Sequence, residues 1–138
     1  MKHYLSYIDE AIKANWNRPA LTNYGANTMT YGVVASEIEK MHILFEKCGI
    51  KKGEKIALCA RSQAEWCVAY LSVVTYDAVV VPLLPDFLPQ NVADLTRMSD
   101  SRLLLVDKAV LGGREILASA VLVVILDLVN EVRRMLQA

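Results

Sequence analysis

Four short, unbroken apolar runs constrain this chain more than any other feature: Ile56–Ala60, Val79–Leu83, Leu103–Val106 and Val121–Leu126. None alternates with polar residues, so each reads as a strand buried on both faces, and segments of helical length separate them. Strands of that kind need helices on each side of a parallel sheet. Right-handed crossovers then predict an α/β, doubly wound, flavodoxin-like layout. With 138 residues, 54% of them hydrophobic and 22% charged, the chain suits a single α/β domain spanning 1–138.

Upstream of the runs, residues 3–15 predict a helix with Leu5, Ile8 and Ile12 on one face, ended by the approach to Pro19. Ala20–Tyr24 and Thr28–Tyr31 predict a short β-hairpin around Gly25-Ala26-Asn27. Thr30 is placed to cap the next helix, which carries Val34, Ile38, Met41 and Phe45 as one stripe and ends at Gly49. Val33 stands where a reciprocal capping-box Glu would sit. Ser62-Gln63-Ala64-Glu65 reads as a complete capping box opening a helix to about Tyr76. Pro89 opens another, with Val92, Leu95 and Met98 expected inward. A weak helix over 110–119, interrupted by Gly112-Gly113, and a final helix 128–138 capped by Asp127 complete the expected order.

The chemistry that could be looked for is mostly missing. Fifteen basic and fifteen acidic residues balance, and Lys51-Lys52 with Lys55 reads as a solvated turn, so no nucleic-acid footprint is expected. The most apolar stretch, 120–126, is far shorter than the ~20 residues of a membrane span. The first ten residues lack the apolar core of a secretory signal, and Cys48, Cys59 and Cys67 form an odd set without C-x-x-C spacing. A cytoplasmic location is therefore expected, with the cysteines packed in the core. His3 and His42 have no ligand spacing around them, so no metal is assigned. The six glycines form no phosphate-binding motif. Ser62 lacks the glycine flanks of a nucleophile elbow, and capping is its simpler role. Asp107 and Asp127 end strands where such sheets place ligand groups, yet both can cap helices. Trp66 and Tyr70 read as core rather than as a stacking platform. No catalytic, cofactor-binding or metal-binding residue is assigned.

One ordered series of segments adds more: Arg18-Pro19-Ala20-Leu21, Met29-Thr30-Tyr31, Gly49-Ile50-Lys51-Lys52-Gly53-Glu54-Lys55-Ile56-Ala57-Leu58, Ser62–Trp66 and Ala78-Val79-Val80-Val81-Pro82-Leu83. Together they resemble the N-terminal segment of the adenylate-forming superfamily, which includes AMP-dependent acyl-CoA synthetases and peptide-synthetase adenylation domains. Long-chain fatty acid–CoA ligases look nearest. Asp77 departs from the family's usual Gly, Val33 from its Glu, and residues 108–138 are less family-like. The resemblance implies an enzyme that adenylates an acid with ATP and Mg²⁺ and passes it to coenzyme A. The family's phosphate loop, adenine motif and catalytic Lys would lie beyond this chain, so it is expected to be inactive alone and to partner the remainder of a ligase. A homodimer contact through the stripe Val129, Val132 and Leu136 is also expected. The alternative is a stand-alone or engineered flavodoxin-like module that binds a small ligand or itself.

Overall fold

The computed structural model describes residues 3–106 and 122–125. The expected helices over 110–119 and 128–138, Gly112-Gly113, Asp107 and Asp127 lie outside the described residues.

Helix α1 (Tyr4–Ala14) turns Leu5, Ile8, Ala11 and Ile12 toward the protein, all half-buried. Asn15 closes it by donating from Nδ2 to the Ala11 carbonyl at 2.8 Å. Pro19 then starts a hairpin in which β1 (Pro19–Thr22) runs antiparallel to β2 (Thr28–Thr30). Gly25 takes φ +70° at its tip, a conformation that favours a residue without Cβ.

Helix α2 (Tyr31–Lys47) begins with its first amides satisfied one by one. Tyr31 donates to the Arg18 carbonyl (3.0 Å), Gly32 to that of Trp16 (2.8 Å), and Val33 to Thr30 Oγ1 (3.2 Å). The predicted stripe Val34, Ile38, Met41 and Phe45 is buried, and Gly49 ends the element at φ +75°.

Strands β3 (Lys55–Cys59), β4 (Val79–Leu83), β5 (Leu103–Val106) and β6 (Leu122–Ile125) pair in parallel in the order β4-β3-β5-β6. Counted within the sheet this is 2-1-3-4, the flavodoxin-like order the apolar runs predict. Helices α3 (Ala64–Thr75) and α4 (Pro89–Met98) make the first two crossovers. Against one face lie Met41, Leu44 and Phe45 of α2 with Ala69 and Val73 of α3, over Ile56, Leu58, Leu103 and Leu105. On the other, Val92 of α4 covers Ala57, Cys59, Leu104 and Val106. Each fully buried aliphatic or aromatic chain stabilises such a core by about 1.5–3 kcal/mol.

Two details differ from expectation. On α4 the buried residues are Val92, Ala93 and Thr96, while Met98 is 78% exposed. A polar residue can lie inward because Thr96 Oγ1 donates to the Val92 carbonyl at 2.7 Å. On β4, Val79 turns its N–H toward β3, donating to the Glu54 carbonyl at 2.8 Å. Backbone alternation then turns Val80 and Pro82 to the open edge, so the nitrogen without a hydrogen faces away from the ladder.

Two turns hold the amino ends of the strands. Glu54 accepts from the Lys51 amide (2.6 Å) and from Arg102 (2.7 Å), joining the turns before β3 and β5. Asp77 adopts φ +66°, so the left-handed turn before β4 does carry a side chain.

Candidate functional site

An open parallel sheet offers a ligand crevice outside the carboxyl ends of its strands, where the strand order reverses. Here the reversal lies between β3 and β5, so the loop Ala60–Gln63 after β3 is one wall. Beside it opens a broad cleft of about 730 Å³ between that loop, the hairpin and the first turn of α3.

The cleft is built around Asn23. Its Oδ1 accepts from the Ala64 amide at 2.8 Å, and its Nδ2 donates to both Glu65 carboxylate oxygens at 3.1 and 3.3 Å. The hairpin thus caps α3 from 41 residues away. This corrects the expected box. The N-cap residue of α3 is Gln63, extended at φ −139° and ψ 173°, so Ser62 lies one position too early to cap the helix. With its amide turned to satisfy both neighbours, Gln63 accepts from Arg61 (3.0 and 3.2 Å) and donates to Glu65 (3.2 Å). Ser62 lines the cleft, but it lacks glycine flanks, and no base is among the described residues that line the cleft with it.

Trp66 and Tyr70 stack on each other, with ring centroids 5.3 Å apart, and pack against the core as half-buried residues. Cys67 is partly exposed in the cleft wall, and Cys59 is buried with Sγ directed at the Leu84 carbonyl (3.5 Å). Burial pushes the Cys48 thiol above its ordinary range, which disfavours the thiolate.

His42 joins α2 to α3 elsewhere. Thr75 gives its hydroxyl hydrogen to the Leu71 carbonyl (2.5 Å), so His42 Nε2 is assigned as donor to Thr75 Oγ1 (2.9 Å) and the Ser72 carbonyl (3.0 Å). Burial lowers its pKa below the ordinary 6.5, against the opposing effects of the Ser72 carbonyl and Glu39. Among the described residues no three His, Cys, Asp or Glu side chains gather as a metal site. No helix among them is long and apolar enough to cross a membrane.

A triphosphate with Mg²⁺ does not fit these residues. The leading amides of α2 and the Ala64 amide of α3 are already given to the protein's own oxygens, and among the described residues no carboxylate cluster accompanies them.

The 2-1-3-4 parallel sheet with its amino-terminal helix and hairpin is a fold this chain shares with parts of longer solved proteins. Residues 8–136 match the AMP-binding enzyme family, and the chain belongs to it. Among curated proteins, surfactin synthase subunit 2 of Bacillus subtilis is 26% identical over 98 residues, which is 71% of this chain and 3% of that protein. Among solved structures, O-succinylbenzoate coenzyme A synthetase of Bacillus subtilis, in complex with AMP, superposes with TM-score 0.77 at 18% identity. The match covers 91% of this chain and 32% of that one. The protein VinN superposes with TM-score 0.82 at 18% identity, over 96% and 35% of the two chains. The chain therefore spans about a third of the solved relatives and a small fraction of the curated ones.

Proposed function

We propose that the chain supplies the N-terminal α/β wall of an enzyme that adenylates a carboxylic acid, and that it holds none of the reacting groups itself. The observation that carries this reading is the family match over residues 8–136 on a sheet where the leading amides of α2 and the Ala64 amide of α3 are already taken by the protein's own groups. When present in the complete enzyme, ATP and Mg²⁺ would supply the phosphoryl electrophile; the segment described here would give rigidity to the floor beneath. Its partner is then the polypeptide carrying the rest of the family fold, and its expected location is the cytoplasm.

Two acids compete. The ordered sequence motifs favour a fatty acid joined to coenzyme A. The likeness to VinN, which has been solved in complex with 3-methylaspartate, favours an amino acid, and we take that as the better supported choice. The test is exchange of pyrophosphate into ATP by the purified chain, with panels of amino, aryl and fatty acids. No exchange above the blank is expected from the chain alone. Acid-dependent exchange that survives repurification would overturn the reading and name the acid.

A further inference from the structure

Two aromatic rings stand on the walls of the cleft around Asn23, and they are held in contrasting ways. On the α3 wall Trp66 is half-buried, stacked on Tyr70 at 5.3 Å and packed against the core. It is a fixed surface that loses little freedom when something lies against it. On the hairpin wall Tyr24 is fully exposed, so its ring packs against nothing in the folded chain.

The polar groups of the cleft narrow the kind of molecule it suits. Asn23 is spent on the start of α3, and Thr22 Oγ1 lies 3.0 Å from Thr28 Oγ1. The Ser62 hydroxyl is exposed and makes no hydrogen bond to another described residue. Gln63 adds an amide beside it. No Asp, Glu, Lys, Arg or His is among the described residues that line the cleft. Arg61 and Glu65 flank them with opposite charges, joined through the Gln63 amide. An ionised molecule would therefore give up hydration without gaining a counter-charge. A wholly apolar one would leave the Ser62 hydroxyl and the Gln63 amide without water or a partner. A flat, neutral ring carrying one amide meets both conditions, since aromatic walls suit a ring and the amide both donates and accepts. The volume of about 730 Å³ falls within the ~300–1,000 Å³ of small-molecule sites, and the cleft adjoins the point where the strand order reverses.

We propose that this cleft binds a small, uncharged aromatic amide, its ring held by Tyr24 and Trp66 and its amide by Ser62 and Gln63. The site is independent of acid activation, because it uses only the hairpin, the loop after β3 and the first turn of α3.

Titration of the ¹⁵N-labelled full chain with benzamide, followed by NMR, tests it. Saturable shifts are expected in the hairpin turn and in residues 62–67, with a dissociation constant of roughly 1 mM or tighter. Benzoate has the same shape and a charge, and should bind roughly tenfold more weakly. Tyr24→Ala should weaken benzamide roughly threefold or more, with an unchanged melting curve because the lost ring packs on nothing. Ser62→Ala should weaken it by a similar factor through the amide. The absence of saturable shifts overturns the proposal, as do shifts centred elsewhere in the fold. Benzoate binding as tightly as benzamide, or undiminished binding by both variants, overturns it equally.

Discussion

Helices α2 and α3 both follow short strands, both pack on the same sheet face, and begin in opposite ways. The start of α2 is satisfied by its neighbourhood: Thr30, Arg18 and Trp16 all lie within sixteen residues of the amides they accept from. The start of α3 depends on a visitor, Asn23, from the tip of a hairpin 41 residues earlier. A local cap can form as soon as its helix nucleates. A remote cap forms only when two separate pieces of the fold have docked, so it couples their stabilities. The difference teaches that the hairpin is more than an edge ornament: it is fastened to the loop at the carboxyl end of β3.

The largest expected effect follows from that coupling. Asn23→Ala removes the acceptor for the Ala64 amide and the donor for Glu65 together, and should cost about 2 kcal/mol, the upper end for a cap. A double-mutant cycle with Glu65→Ala should show coupling; purely additive losses in urea melts would break the comparison. Thr30→Ala should cost about 1 kcal/mol, because the Arg18 and Trp16 carbonyls keep their two amides satisfied.

The two helices are joined directly through His42, and here pH sharpens the contrast. Its folded pKa lies below the unfolded 6.5, so the unfolded chain binds the proton more readily. The α2–α3 contact therefore keeps its full stability above pH 6.5 and loses part of it as the pH falls through the lowered folded value. In His42→Gln, melts between pH 7.5 and 5 should lose that component of the slope; an identical slope would deny His42 the role. The smallest effect belongs to Ser62→Ala, which should stay within about 0.5 kcal/mol because the helix begins one residue later. A loss matching that of Asn23→Ala would restore the capping box.

What could be read from the sequence follows the same division. The four strands were legible because burial on both faces writes itself as an unbroken apolar run, and Thr30 and Gly49 were legible because their partners are adjacent. Asp77 stood out against the family's Gly, and its positive φ confirms that the turn keeps its shape with a side chain. The cap of α3 was misread because Ser62 and Glu65 have the spacing of a box, while the residue that does the work has no sequence relation to it. Met98 was misread because residues three apart drift around a helix. The drift was settled by Thr96, whose hydroxyl hides its polarity in its own helix. The candidate site was the least legible part, since its cleft is made by the meeting of hairpin and loop rather than by any motif.

Pro82 has one more consequence, for the chain while it is being made. At a synthesis rate of about 5–20 residues per second, β3 and β4 exist for roughly one to four seconds before Leu103–Val106 emerges to join them. A half-built sheet of this kind has two open rims on which neighbouring nascent chains could stack and precipitate. The inner rim closes only when β5 arrives. The outer rim is interrupted at Pro82 from the first moment, so a polypeptide this rich in aliphatic residues passes through synthesis with one exposed rim to shield instead of two.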